Sequence, residues 1–173
     1  MPASNRYVPK HRATKNRVLT DPKRLAALGA TVPAALGATV AYGAPAQAAT
    51  EENVDQAVDV ARDQNGDPYE YGADGPDSFD CSGLVQFSYE KAGINMPRTS
   101  DDQAARADRI PKSEMQPGDL MFFDDGGGVY HVGIYTGRTH SGEFRILHSG
   151  NEGQRVRAEA VWTNDWFAGT VRR

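Results

Sequence analysis

Asp80-Cys81-Ser82-Gly83-Leu84-Val85-Gln86-Phe87-Ser88-Tyr89 holds the only cysteine of the 173-residue chain, and the rest of the sequence is read outward from it. Asp80 suits a helix N-cap, because its carboxylate can accept a hydrogen bond from an N–H two or three residues on. Leu84, Val85, Phe87 and Ser88 then give an apolar face, and Gly93 is a stop signal. This reading puts Cys81 at the first position of a helix. There the macrodipole and the free N–H groups favour an anion, and a thiolate is an anion. Beside a histidine, such a thiol would be a nucleophile at neutral pH. The competing reading, a buried inert cysteine, is the commoner fate of a free thiol and stays open here.

Upstream, Val54, Ala57, Val58 and Ala61 recur at i, i+3, i+4 and i+7, the period of an amphipathic helix. Thr50 is its candidate cap and Gly66-Asp67-Pro68 its end. A loop rich in turn formers, 69–79, leads into the Cys81 helix, which is expected to run to about Ala92. Ser100-Asp101-Asp102-Gln103 has the capping-box pattern and opens a short helix to about Ala107. Beyond it the hydrophobic period changes from 3.6 to 2. Strands are expected at 119–123, 129–135, 144–148, 156–161 and 167–171, with turns at 116–118, 124–128 and 137–142. Helices first and an antiparallel meander second is the α+β pattern.

Charge divides the chain. Residues 1–48 carry seven Lys or Arg and one acid, leaving 12 basic and 22 acidic residues for 49–173. An acidic domain argues against binding to nucleic acid or to an anionic membrane. Residues 1–48 read as a secretion signal: a basic region to Arg24, an uncharged stretch rich in Ala, Gly and Thr, then Ala46-Gln47-Ala48 as a cleavage site. No Arg-Arg pair is present, which favours general secretion over the twin-arginine route. No stable membrane insertion is expected once the signal is removed. A secreted chain with one cysteine cannot form an internal disulfide.

Residues 49–173 contain three histidines. His131 shares a strand face with Gly133 and Tyr135, and His148 shares one with Ile146. In a hairpin closed by the 137–142 loop the two strands are neighbours, so both imidazoles can meet on one sheet face. A nucleophile needs a base, and a base needs a partner that orients it. Cys81, His131 and His148 would supply nucleophile, base and orienter. His140 reads as a solvated loop residue. One Cys and two His could also ligate zinc or copper, but there is no C-x-x-C or H-E-x-x-H pattern, and no metal or other cofactor is expected. Asp124-Asp125-Gly126-Gly127-Gly128 lacks the spacing of a calcium loop and the context of a phosphate loop.

In order along the chain stand Pro68-Tyr69-Glu70-Tyr71-Gly72, Phe79-Asp80-Cys81-Ser82-Gly83-Leu84-Val85 and Met96-Pro97-Arg98-Thr99-Ser100 with Gln103. They are followed by Pro117-Gly118-Asp119-Leu120-Met121-Phe122-Phe123, His131-Val132-Gly133-Ile134-Tyr135 and Ile146-Leu147-His148-Ser149. Together these resemble the NlpC/P60 family of cell-wall cysteine peptidases, over about residues 54–172. The resemblance implies a papain-like α+β fold with N-terminal helices packed on a small antiparallel sheet, and residues 49–173 as the catalytic domain. It implies hydrolysis of peptidoglycan stem peptides, typically at the γ-D-glutamyl–diamino acid bond; the protein is expected to be a monomer secreted to the cell wall. It makes Cys81 the nucleophile, His131 the base and His148 the orienter, with Tyr69, Asp80 and Ser82 beside the substrate. Tyr71 and Ala73 depart from the Trp and second Gly usual in the family. An amidase or an acyl or amine transferase on the same site, or a non-catalytic wall-binding module, is the alternative.

Overall fold

A computed structural model describes residues 49–172, so the proposed secretion signal lies outside the described residues. The elements are helices α1 (Glu51–Asp63), α2 (Cys81–Lys91) and α3 (Ser100–Arg106), and strands β1 (Asp108–Ile110), β2 (Leu120–Asp124), β3 (Val129–Arg138), β4 (Phe144–His148), β5 (Arg157–Ala160) and β6 (Trp166–Thr170). This is the expected α+β arrangement. Among the described residues, no helix is long and apolar enough to cross a membrane.

Each helix begins at a side-chain cap. The Thr50 hydroxyl accepts from the Asn53 N–H, and the Asp80 carboxylate accepts from the Gly83 N–H at 2.6 Å. The third cap lies one residue earlier than the capping-box pattern suggests. Thr99, not Ser100, has the extended backbone of a cap, and its hydroxyl accepts from the Asp102 N–H. Ser100 instead donates to the Val129 carbonyl, at 2.5 Å, and ties α3 to the start of β3.

The sheet has six antiparallel strands in the order β1-β6-β2-β3-β4-β5. The meander runs from β2 to β5. β6 then returns across the sheet to pair with β2, and β1 adds an edge that no sequence pattern announced, because three residues are too few to show alternation. Leu120, Met121, Phe122 and Phe123 are all fully buried. β2 therefore has two covered faces, which explains its unbroken apolar run. On one face Leu120, Phe122, Val132, Ile134 and Leu147 pack in one core with Val54, Val58, Leu84, Val85 and Tyr89 from the helices. Met121, Phe123, Tyr135, Ile146 and Trp166 form a second cluster.

Contacts outside the core set where α2 begins. The Asp80 N–H donates to the Ala73 carbonyl at 2.9 Å, and the Ser149 hydroxyl donates to the Phe79 carbonyl at 2.7 Å. The second bond joins the residue after β4 to the residue before the α2 cap. Buried Gln103 donates to the Ser82 and Pro97 carbonyls, holding α3 against the same turn. Gly83 permits this close approach: a Cβ there would lie 2.1 Å from the Ala73 oxygen. Alanine is ordinarily favoured over glycine in a helix by about 1 kcal/mol. Gly83→Ala should nevertheless destabilise the fold by about 2 kcal/mol, because backbone rather than a flexible side chain blocks the methyl. Urea denaturation of the two proteins would measure this.

Candidate active site

Cys81 occupies the first helical position of α2, as its cap and sequence lead one to expect. The side chain is half-buried against the core, and the backbone N–H groups of Val132, Ser82 and Cys81 itself favour its anionic form. Burial works the other way and is the larger effect, pushing the thiol above its ordinary range. The negative charge of Asp80 adds to that rise. At this site desolvation outweighs the pull of the N–H groups on the thiol.

Asp80 is the hub of the helix start. One carboxylate oxygen accepts from the Gly83 N–H, the Ser82 hydroxyl and Arg98 Nη1, the last at 3.0 Å. The other accepts from the Gly72 N–H and, at 2.5 Å, from Arg98 Nη2. Burial alone would raise this carboxyl, but the hydrogen bonds from Arg98 and Gly83, with the charge of Arg98, hold it below the usual carboxylate range. Arg98 also donates to the Ser82 hydroxyl at 2.9 Å. Asp80 and Ser82 therefore line a cavity as parts of a closed network with Arg98, whose partner no local pattern in the sequence marks.

Antiparallel register delivers the histidines. Phe123 pairs with His131, and Ile134 pairs with Leu147, which sets Gly133 across from His148. A Cβ at Gly133 would lie 3.0 Å from the Cβ of His148, so glycine leaves that strand room to close. His131 Nε2 lies 2.8 Å from His148 Nδ1. His148 Nε2 in turn lies 2.9 Å from a Glu159 carboxylate oxygen, and Arg157 grips Glu159 through Nε at 2.9 Å and Nη2 at 3.1 Å. Trp162 covers the pair, its ring 5.3 Å from that of His148 and 5.8 Å from that of His131, and stacks in parallel on Phe123 at 4.9 Å. Burial pulls His131 down to about 3, helped by the neighbouring His148 and opposed by Glu159. Burial also lowers His148, against the pull of Glu159. Both shifts favour the neutral ring at pH 7.

Cys81 stands between two cavities and, with Tyr69 and Tyr130, lines both. One, of about 210 Å³, also contains His131, His148 and Trp162. The other, of about 470 Å³, also contains Asp80, Ser82 and Arg98. Cys81, His131 and His148 are thus brought together, Tyr69 sits at the junction, and His140 is exposed in the β3–β4 hairpin. Glu159 and Trp162 were not selected from the sequence. Arg157 and Glu159 alternate on an expected strand next to that of His148, which is a signal for Glu159. Trp162 follows the end of β5, where periodicity carries no information.

The sequence model of the NlpC/P60 family matches residues 66–172. A probable endopeptidase p60 of Listeria monocytogenes is 53% identical over 72 residues, 42% of this chain and 15% of its own length. The chain thus spans a small part of that curated relative. The peptidoglycan hydrolase RipB of Mycobacterium tuberculosis superposes with a TM-score of 0.60 at 29% identity, covering 70% of this chain and 65% of RipB. RipD of the same organism, described as a non-catalytic NlpC/p60 domain protein adapted to peptidoglycan binding, superposes with a TM-score of 0.59 at 25% identity, over 70% of this chain and 99% of RipD.

The depressed His131 makes stability depend on acid. In the unfolded chain this ring protonates near its ordinary value of about 6.5, whereas in the fold it stays neutral to about 3. Between these values the unfolded state binds more protons, so stability is full above about pH 6.5 and is lost as the pH falls. The loss between pH 7 and pH 4 should be on the order of 2–3 kcal/mol for this ring. Denaturation of wild type and His131→Asn at both pH values should show a smaller difference in the variant.

Proposed function

The chain belongs to the NlpC/P60 family, and from that premise we propose that it is a secreted cysteine endopeptidase that hydrolyses peptidoglycan stem peptides at the γ-D-glutamyl–diamino acid bond. The observation that carries this reading is the 2.8 Å contact of His131 Nε2 with His148 Nδ1, beside a cavity that Cys81 and His131 share. The contact leaves His131 Nδ1 as the nitrogen available to the thiol.

The resting pair is a neutral thiol and a neutral imidazole. Bound substrate displaces water, and the thiol proton passes to His131 Nδ1 as sulfur attacks the scissile carbonyl carbon. The C–S bond forms and the carbonyl electron pair moves onto oxygen. The N–H groups at the start of α2 and the Tyr69 hydroxyl are the donors for that oxyanion. Collapse breaks the C–N bond, and His131 returns its proton to the departing amine, leaving a thioester. Water then attacks the thioester carbonyl and gives a proton to His131; the adduct collapses, the C–S bond breaks, and His131 returns that proton to the departing sulfur, restoring the neutral pair. Because His131 must reach the departing nitrogen, the amine half of the substrate occupies the His131–Trp162 cavity. The acyl half occupies the cavity of Asp80, Ser82 and Arg98, where Tyr69, Asp80 and Ser82 bind it. The protein works outside the cell on the wall as a monomer, with no cofactor.

RipD supplies a second reading, a wall-binding module without turnover. Cys81, His131 and His148, all present and converging on one cavity, favour catalysis. Purified peptidoglycan digested with the protein should yield fragments with a newly freed diamino-acid amine by mass spectrometry. Cys81→Ala should release none; continued release would sink the peptidase reading, and silence of the wild type would favour RipD-like binding. His131→Ala should lose about 1,000-fold in kcat and His148→Ala about 10- to 100-fold, because an orienting group is partly replaceable by water.

A further inference from the structure

We propose that Glu159 is a positioning residue that sets the tautomers of both active-site histidines and so makes His131 Nδ1, rather than Nε2, the nitrogen that takes the Cys81 proton. The inference rests on the peptidase reading and adds to it a residue two hydrogen bonds removed from the chemistry.

Hydrogen-bond donors and acceptors fix the tautomers. A neutral imidazole carries one N–H and one bare nitrogen, and an ionised carboxylate can only accept. Burial would raise Glu159, but hydrogen bonds from Arg157 and His148, with the Arg157 charge, hold it ionised. Its oxygen 2.9 Å from His148 Nε2 therefore requires the His148 proton on Nε2. His148 Nδ1 is then bare. The 2.8 Å contact to His131 Nε2 can form only if His131 donates, so the His131 proton sits on Nε2 and Nδ1 is left with its lone pair. Removing the carboxylate frees the His148 proton to occupy Nδ1. It would then donate to His131 Nε2 and drive the His131 proton onto Nδ1. A nitrogen that already carries hydrogen cannot deprotonate the thiol.

The surroundings suit this role. Arg157, directly across from His148 in the β4–β5 register, holds Glu159 in a two-pronged grip that fixes its direction. Glu159 lies diagonally from His148, a separation that a long side chain spans. Trp162 lies against both imidazole rings on its inner side while 52% of its surface meets solvent. It thereby limits the water that could satisfy the ring nitrogens in either tautomer. The charge of Glu159 also favours the His131 imidazolium that forms during acylation.

Long-range 1H–15N spectra of the histidine-labelled full chain at pH 7.5 test the inference directly. The wild type should show both His131 and His148 protonated on Nε2 and bare on Nδ1. Glu159→Ala should lose that pattern at both rings. Its kcat on a soluble stem peptide should fall about 100-fold with KM changed less than about 3-fold. A wild-type His131 protonated on Nδ1 would overturn the inference without any variant. So would a folded Glu159→Ala that keeps both wild-type tautomers or full kcat. Failure of the peptidase reading is distinguishable, because the ring spectra report tautomers whether or not any peptide is cleaved.

Discussion

The Asp80–Arg98 pair is the interaction on which the rest of the site depends. A carboxylate that caps α2 also reaches back to the Gly72 N–H and sideways to the Ser82 hydroxyl, and the Arg98 guanidinium closes both oxygens. One group thereby fixes the start of the Cys81 helix, the loop before it and the wall of one cavity. The arrangement has a cost for chemistry, since a negative charge one residue from a thiol opposes its ionisation. Arg98 offsets that charge locally. A pair of this kind, with one partner a third exposed, is better understood as geometry than as a large store of stability.

Burial decides how Cys81 is poised. The helix start, three N–H groups and a nearby base all argue for a thiolate, yet desolvation raises the thiol and lowers the imidazole. In the proposed reaction the charged pair is made only when substrate arrives. In the proposed acylation the N–H groups at the start of α2 meet the oxyanion, and such donors are worth most in a site that excludes water. The aromatic cover that keeps the histidines neutral also keeps their hydrogen bonds from exchanging with solvent. The sheet supports this closely: Gly133 lets β4 approach, and the Ser149–Phe79 bond links the strand of His148 to the residue before Asp80.

Much of the fold was legible because local physics wrote it. The Thr50 and Asp80 caps, the 54–61 apolar face and the alternation of β3 and β4 each reflect interactions within a few residues. The errors have equally local causes. Thr99 and Ser100 are both competent caps, and only the backbone geometry at Thr99 chose between them. β1 is three residues long, and its identity comes from pairing with β6, more than fifty residues away.

By itself the sequence determined that Cys81 would stand at a helix start and that His131 and His148 would fall on one face of neighbouring strands, because caps and the two-residue strand period act at short range. Tertiary structure alone decided the direction in which the thiol and the imidazoles are shifted, the closure of Asp80 by Arg98, and the reach of Glu159 to His148. Each of these depends on how much water remains around a group and on which distant charge fills its place. Neither quantity exists until the helices have packed against the sheet and the strands have found their register.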